Sequence, residues 1–91
     1  MKMEFEWDEN KNKSNQLKHG ISFEEATKIF DDEKRVEHQD FRQDYGEDRW
    51  KTIGQILGII FSVTYTHRAA VIRLISARRA SQKERDLYEN Q

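Results

Sequence analysis

The 91-residue chain has no cysteine, no proline and only four glycines. Without cysteine, no disulfide framework can brace the fold and no thiolate metal site can form. Without proline, repeats or low-complexity stretches, nothing reads as a linker, so residues 1–91 read as one domain. The glycines form no Gly-rich phosphate loop, and there is no Ser-centred nucleophile motif. The three histidines lack His-x-x-x-His spacing, so no zinc site, and no other metal or cofactor, is expected. No apolar run approaches the roughly 18 residues of a membrane span, and the N-terminus lacks the apolar core of a signal peptide. The expectation is a soluble, cytoplasmic protein with no membrane partner.

Apolar residues make up 35% of the chain and charged residues 36%. A domain of this size buries only about 60–65% of the surface its unfolded chain exposes, so the core must be small. The aromatics (Trp7, Phe23, Phe30, Trp50, Phe61, Tyr65) and one dense apolar run argue against disorder. The net charge of −1 hides an asymmetry. Residues 1–48 carry 8 Lys and Arg against 14 Asp and Glu, and residues 49–91 carry 8 against 3. A basic half reads either as a solvated surface of mixed charge or as one face for a polyanion.

Met3 to Trp7 alternates apolar and acidic residues with period two, which predicts a short strand with one wet face. Asp8 suits an N-cap, and a polar helix with Leu17 as its main apolar side chain closes at Gly20. Ser22 and Glu25 have capping-box spacing and open a second helix, with Phe23, Ala26, Ile29 and Phe30 on one stripe ending near Asp31. Val36 and Phe41 mark a short edge strand. Arg49 to Ile53 alternates as a strand, Gly54 and Gly58 bracket a turn, and Ile59 to Thr66 gives the strongest strand signal. His67 to Ala69 connects to a strand over Val71 to Ala77, and Ser81 with Glu84 caps a final helix. Close spacing favours hairpins. The expected fold is α+β, a small antiparallel sheet packed by two N-terminal helices and one C-terminal helix.

Several segments resemble, in order, the BrnT toxins of type II toxin–antitoxin systems. They are Phe5-Glu6-Trp7-Asp8-Glu9-Asn10-Lys11, Lys18-His19-Gly20-Ile21-Ser22-Phe23-Glu24-Glu25-Ala26, and Phe30-Asp31-Asp32. Gly46-Glu47-Asp48-Arg49-Trp50, Ile53-Gly54, the block from Ile72 to Ser81 and Lys83-Glu84-Arg85 continue the match. The resemblance implies a fold similar to the RelE superfamily of ribosome-linked RNases, with RNA cleavage that stops translation. It also implies a BrnA-like ribbon-helix-helix antitoxin as partner, with operator DNA contacted only through the antitoxin complex. Taken with the charge asymmetry, it leads us to expect an antitoxin that covers the basic face or adds an ordered segment beside it.

RNA cleavage through the 2′-hydroxyl without a metal needs a base, cations for the phosphorane charge and an acid for the leaving 5′-oxygen. Arg73 sits inside an apolar strand, so it either pairs with a carboxylate or opens into a site, where it would bind the scissile phosphate bidentately. Arg78 and Arg79 stand where strand gives way to helix, a place favourable to phosphate, and as neighbours on a strand they point oppositely. One of them, Arg78, is expected at the catalytic site and Arg79 at the RNA surface; the plainer reading is an exposed basic pair. His19 is a candidate acid or base with Lys18 as electrostatic helper, although a cation also suits a helix C-terminus for dipole reasons alone. Glu47 and Arg49, two apart, share a face and read as general base and phosphate clamp, or as a surface ion pair. His67 and Arg68 are expected to contact RNA, and His38 reads as surface.

Two other readings compete with an endoribonuclease: a non-catalytic RNA-binding or antitoxin-binding regulatory module, and a plain partner-binding protein. Exposed aromatics among the arginines would favour RNA binding, since single strands need stacking platforms. The aromatics here fall mainly in strand and helix stripes, which reads as core. Clustered Glu, His and Arg would favour catalysis, and an apolar patch beside a quiet site would favour a partner protein.

Overall fold

The computed structural model of the chain describes residues 3–42 and 44–91. Strand β1 (Glu4–Glu6) leads into helix α1 (Glu9–His19). The Asp8 carboxylate accepts the N–H groups of Asn10 and Lys11, and Gly20 closes the helix at φ 72°. The one large apolar side chain of α1, Leu17, points into solvent at 91% exposure. Two buried amides dock the helix instead. Asn15 accepts the Ala77 N–H at 3.1 Å and donates to the Ile21 carbonyl at 3.0 Å. Asn12 accepts the Phe23 N–H at 2.8 Å and donates to Glu9 and Glu24. Each satisfied amide replaces hydration it lost on burial, so the helix is held by geometry rather than by area.

The Ser22–Glu25 capping box forms, but α2 lasts one turn (Phe23–Ala26) and tightens into a 3-10 helix over Thr27–Asp31. The expected single α-helix is corrected here. The Thr27 hydroxyl bonds back to the Glu24 carbonyl at 2.7 Å, and branched Thr27 and Ile29 crowd an α-turn. The tighter winding still buries Phe23, Ala26 and Ile29 completely.

Strands β2 (Val36–Asp40), β3 (Arg49–Ile56), β4 (Ile59–Arg68) and β5 (Val71–Arg79) follow, then helix α3 (Gln82–Glu89) with its Ser81–Glu84 capping box. The sheet order is β1-β5-β4-β3-β2. It is mixed, not wholly antiparallel: β1 runs parallel to β5, with Glu6 opposite Arg73. Everything between the two strands in sequence serves as the crossover that a parallel pair requires.

Two turns differ from expectation. Gly54 lies inside β3 opposite Phe61, and the β3–β4 turn is Leu57–Gly58, both at positive φ. Such two-residue loops match the twist of the strands they join. Gly54 is bare because a Cβ there would lie 2.8 Å from Ile29 Cγ1 and 3.1 Å from Arg35 Cβ. Gly54→Ala is therefore expected to destabilise by about 1–3 kcal/mol through overpacking; an unchanged urea midpoint would contradict this. His67 and Arg68 belong to β4, and the β4–β5 turn begins at Ala69, at φ 55°.

The helix-covered face of the sheet carries Phe61, Val63, Tyr65, Ile72, Leu74 and Ala77 against Ile21, Phe23, Ala26 and Ile29. On the other face, α3 covers only one end, where Tyr88 and Ala80 pack on Ile53 beside Val36 and Ile60. The rest of that face, beyond α3, forms the open face. Among the described residues, no helix is long and apolar enough to cross a membrane.

Candidate active site

Cross-strand register settles which side chains share the open face, because residues directly opposite in a ladder project to the same side. On β4 the face carries Ser62, Thr64, Thr66 and Arg68, and on β3 it carries Lys51, opposite Thr64, with Arg49 two residues before. On β5, Arg73 is opposite Thr66 and Arg78 is opposite Ser62. Arg73 and Arg78 are five apart, so a regular strand would send them to opposite faces. The register shift between Thr64 and Tyr65, which leaves Ile75 unpaired, rephases the strand and brings both arginines to one side. Arg79 then falls on the opposite side, level with Phe61.

Five cations thus rise from three adjacent strands: Arg49, Lys51, Arg68, Arg73 and Arg78. Ser62, Thr64 and Thr66 beneath them are buried. The Thr66 hydroxyl donates to the Asp48 carbonyl at 2.6 Å and ties the incoming loop to the face.

Three carboxylates partner these cations in different ways. Glu6, brought alongside by the parallel pairing, accepts a hydrogen bond from Arg73. Glu84 accepts Arg78 at both oxygens, at 2.7 and 3.0 Å, together with Lys51 at 3.0 Å and the Ser81 N–H at 2.9 Å. Burial alone would raise the Glu84 carboxyl, but Arg78, Ser81 and Lys51 override it and hold it well below the usual carboxylate range. With its lone pairs occupied, Glu84 is a positioning group and not a base. Glu47 bridges Arg49 at 3.7 Å and Arg68 at 3.6 Å, both beyond hydrogen-bond length, and among the described residues it accepts no hydrogen bond. The Arg49 guanidinium stacks 3.9 Å over the Tyr45 ring, and its buried Nε has no hydrogen-bond partner among the described residues.

Of the residues expected from sequence, Glu47, Arg49, Arg68, Arg73 and Arg78 come together on or beside the open face. Lys18 and His19 lie at the C-terminus of α1, exposed, and line a depression with Lys11, Ser14, Asn15, Ile75 and Ser76. Ser76 is opposite Thr64, so that depression meets the open face one strand step from Arg78. His67 turns to the helix-covered side, its ring edge-on to Tyr65 at 5.8 Å. Sequence reasoning passed over Glu6, Lys51 and the pairing role of Glu84. The Lys51–Glu84 contact spans 33 residues and the Arg73–Glu6 contact 67, and no local pattern marks either. Among the described residues, no three His, Asp or Glu side chains are arranged to hold a metal ion.

A family model described as "Ribonuclease toxin, BrnT, of type II toxin-antitoxin system" matches residues 7–84. No curated protein matches the chain.

Proposed function

Because the chain belongs to the BrnT family of type II toxin–antitoxin ribonuclease toxins, we propose that it is an endoribonuclease whose active site is the open sheet face. One observation carries this reading: five cations rise from three strands onto one face, and two of them, Arg49 and Arg68, flank a carboxylate, Glu47, that accepts no hydrogen bond among the described residues. In this mechanism Glu47 takes the 2′-hydroxyl proton, and the 2′-oxygen attacks the adjacent phosphorus. Arg73 and Arg49 hold the phosphate oxygens, Arg68 and Arg78 add field, and the planar guanidinium suits the developing charge. His19, with Lys18 beside it, is assigned to protonate the leaving 5′-oxygen. The products are a 2′,3′-cyclic phosphate and a 5′-hydroxyl, and no metal is needed. His67 and Arg79, on the other side of the sheet, would touch only RNA that wraps past the edge.

The same reading extends to biology. The fold is assigned to the RelE-like superfamily, the cleavage to arrest of translation in the cytoplasm, and the inhibitor to a BrnA-like ribbon-helix-helix antitoxin. In that arrangement the antitoxin contacts operator DNA and the toxin reaches it only within the complex.

The test is incubation of the purified chain with RNA in excess EDTA, mapping transcript ends. New ends bearing cyclic phosphate, lost in folded Arg73→Ala, are expected. Cleavage abolished by EDTA and restored by a divalent ion would overturn metal independence. Binding without new ends under any condition would leave a non-catalytic RNA-binding module.

A further inference from the structure

The open face does not stop at β3. His38 is opposite Lys51 and Asp40 is opposite Arg49, so both project from edge strand β2 onto the same side as the five cations. With Gln39, Phe41, Arg42 and Lys51 they enclose a recess of about 380 Å³. Lys51 is common to this recess and to the ion pair with Glu84, which makes the recess continuous with the candidate active site.

The recess has an unusual rim. Phe41 is 78% exposed, whereas Phe23 and Phe61 are buried and Phe5 and Phe30 pack against the core. Next to it the Arg42 guanidinium is held flat by the Asp40 carboxylate, Nε to Oδ1 at 2.9 Å and Nη2 to Oδ2 at 2.8 Å. Arg42 itself remains 64% exposed while the Asp40 carboxylate is almost wholly covered. The result is an exposed aromatic ring beside a fixed cationic plane, at the border of a phosphate-attracting surface. Single-stranded RNA is recognised by such pairs, because every unstacked base has a π-face that an aromatic or guanidinium plane can accept.

We propose that this recess is a nucleobase subsite, in which one unstacked base of the RNA bound at the open face stacks on Phe41. The proposal rests on the ribonuclease reading above and adds to it a source of sequence preference. The cationic groups lining the recess, Arg42 and Lys51, are donors only, while His38 and Gln39 can donate or accept. The one carboxylate, Asp40, is already engaged by Arg42. A base edge that offers carbonyl oxygens, as guanine and uracil do, can accept from Arg42 and Lys51.

The experiment uses the intact chain and a short single-stranded RNA made uncleavable by 2′-O-methylation at the cut position, with the unmodified RNA as a parallel cleavage assay. Base stacking on an aromatic contributes about 1–3 kcal/mol, so Phe41→Ala is expected to weaken binding roughly 5- to 150-fold. Phe41→Trp is expected to restore it. Removing one base from the RNA, at a single position, is expected to reproduce the loss, and combining that abasic RNA with Phe41→Ala to add nothing further. Phe41 is exposed, so its replacement leaves the fold intact, as a circular dichroism melt can verify. Intact chain that cuts RNA while Phe41→Ala binds and cuts equally well would overturn the subsite and leave the ribonuclease reading standing. So would a loss confined to binding of an antitoxin protein, which would give the surface to that partner. Intact chain that neither binds nor cuts RNA would overturn both.

Discussion

Replacing Glu47 with Gln is expected to slow RNA cleavage by about 10²–10⁴-fold, the contribution of a positioned general base, with RNA affinity nearly unchanged. The substitution keeps shape and removes only proton affinity. Its structural cost is small because the Glu47 contacts to Arg49 and Arg68 are long, at 3.7 and 3.6 Å, and the three side chains are 24–54% exposed. Open ion pairs of this kind contribute about 0–1 kcal/mol. A large loss of rate in a protein of unchanged melting temperature would therefore report chemistry. Arg73→Ala is a less clean probe, since it also strands Glu6 beside an emptied position. Unimpaired cleavage by Glu47→Gln would move the base elsewhere on the face. Glu6 is the next carboxylate, because among the described residues it has a single hydrogen-bond partner, Arg73, whereas Glu84 is saturated.

The parts of this structure that sequence made legible are those fixed within a few residues. Asp8, the Ser22–Glu25 box and the Ser81–Glu84 box all cap helices where their spacing places them. The dense β-branched run became β4. What stayed hidden depends on contacts across the chain. The docking of α1 could not be read because apolar periodicity is blind to Asn12 and Asn15, which replace a hydrophobic stripe with amide hydrogen bonds. Gly54 looked like punctuation, yet its missing side chain makes room for Ile29. The candidate site divides along the same line. Arg73 was conspicuous as a charge in an apolar strand, but its partner Glu6 is set by a parallel pairing with the first strand. That Arg73 and Arg78 share a face depends on one unpaired residue, Ile75, and strict alternation predicts the opposite. Phe41 was read as the end of an edge strand; only its exposure gives it another use.

Glu84 joins fold to site, and its removal should separate the two. The side chain is 11% exposed, caps α3 at Ser81 and is the shared partner of Arg78 and Lys51. Glu84→Ala removes a cap contact and leaves two cations without their carboxylate. Breaking a buried pair costs about 3–5 kcal/mol and a cap about 1. Arg78, 36% exposed, can rehydrate, which brings the expected loss to about 3 kcal/mol. For a chain of this length that lowers the melting midpoint by roughly 12–24 °C. The pH dependence follows from the lowered folded-state pKa of Glu84. An ionised carboxylate is bound better in the native state, so its stabilisation is complete above the ordinary value of 4.5 and is lost as pH falls below it. The difference in stability between wild type and Glu84→Gln should therefore be largest near neutral pH and shrink below 4.5. Taking the difference cancels Asp40, whose carboxyl Arg42 also holds low. A constant difference down to strongly acidic pH would show that the carboxylate charge is not what holds α3. Glu84→Gln also frees Arg78 and Lys51 for phosphate. Where the variant remains folded, its RNA affinity should rise, and each cation that gains a phosphate should steepen the salt dependence, log K against log salt, by about 0.7. Lower stability with tighter RNA binding is the pattern expected if α3 both anchors the fold and tempers the charge of the open face. Lower stability with unchanged binding would confine Glu84 to the fold.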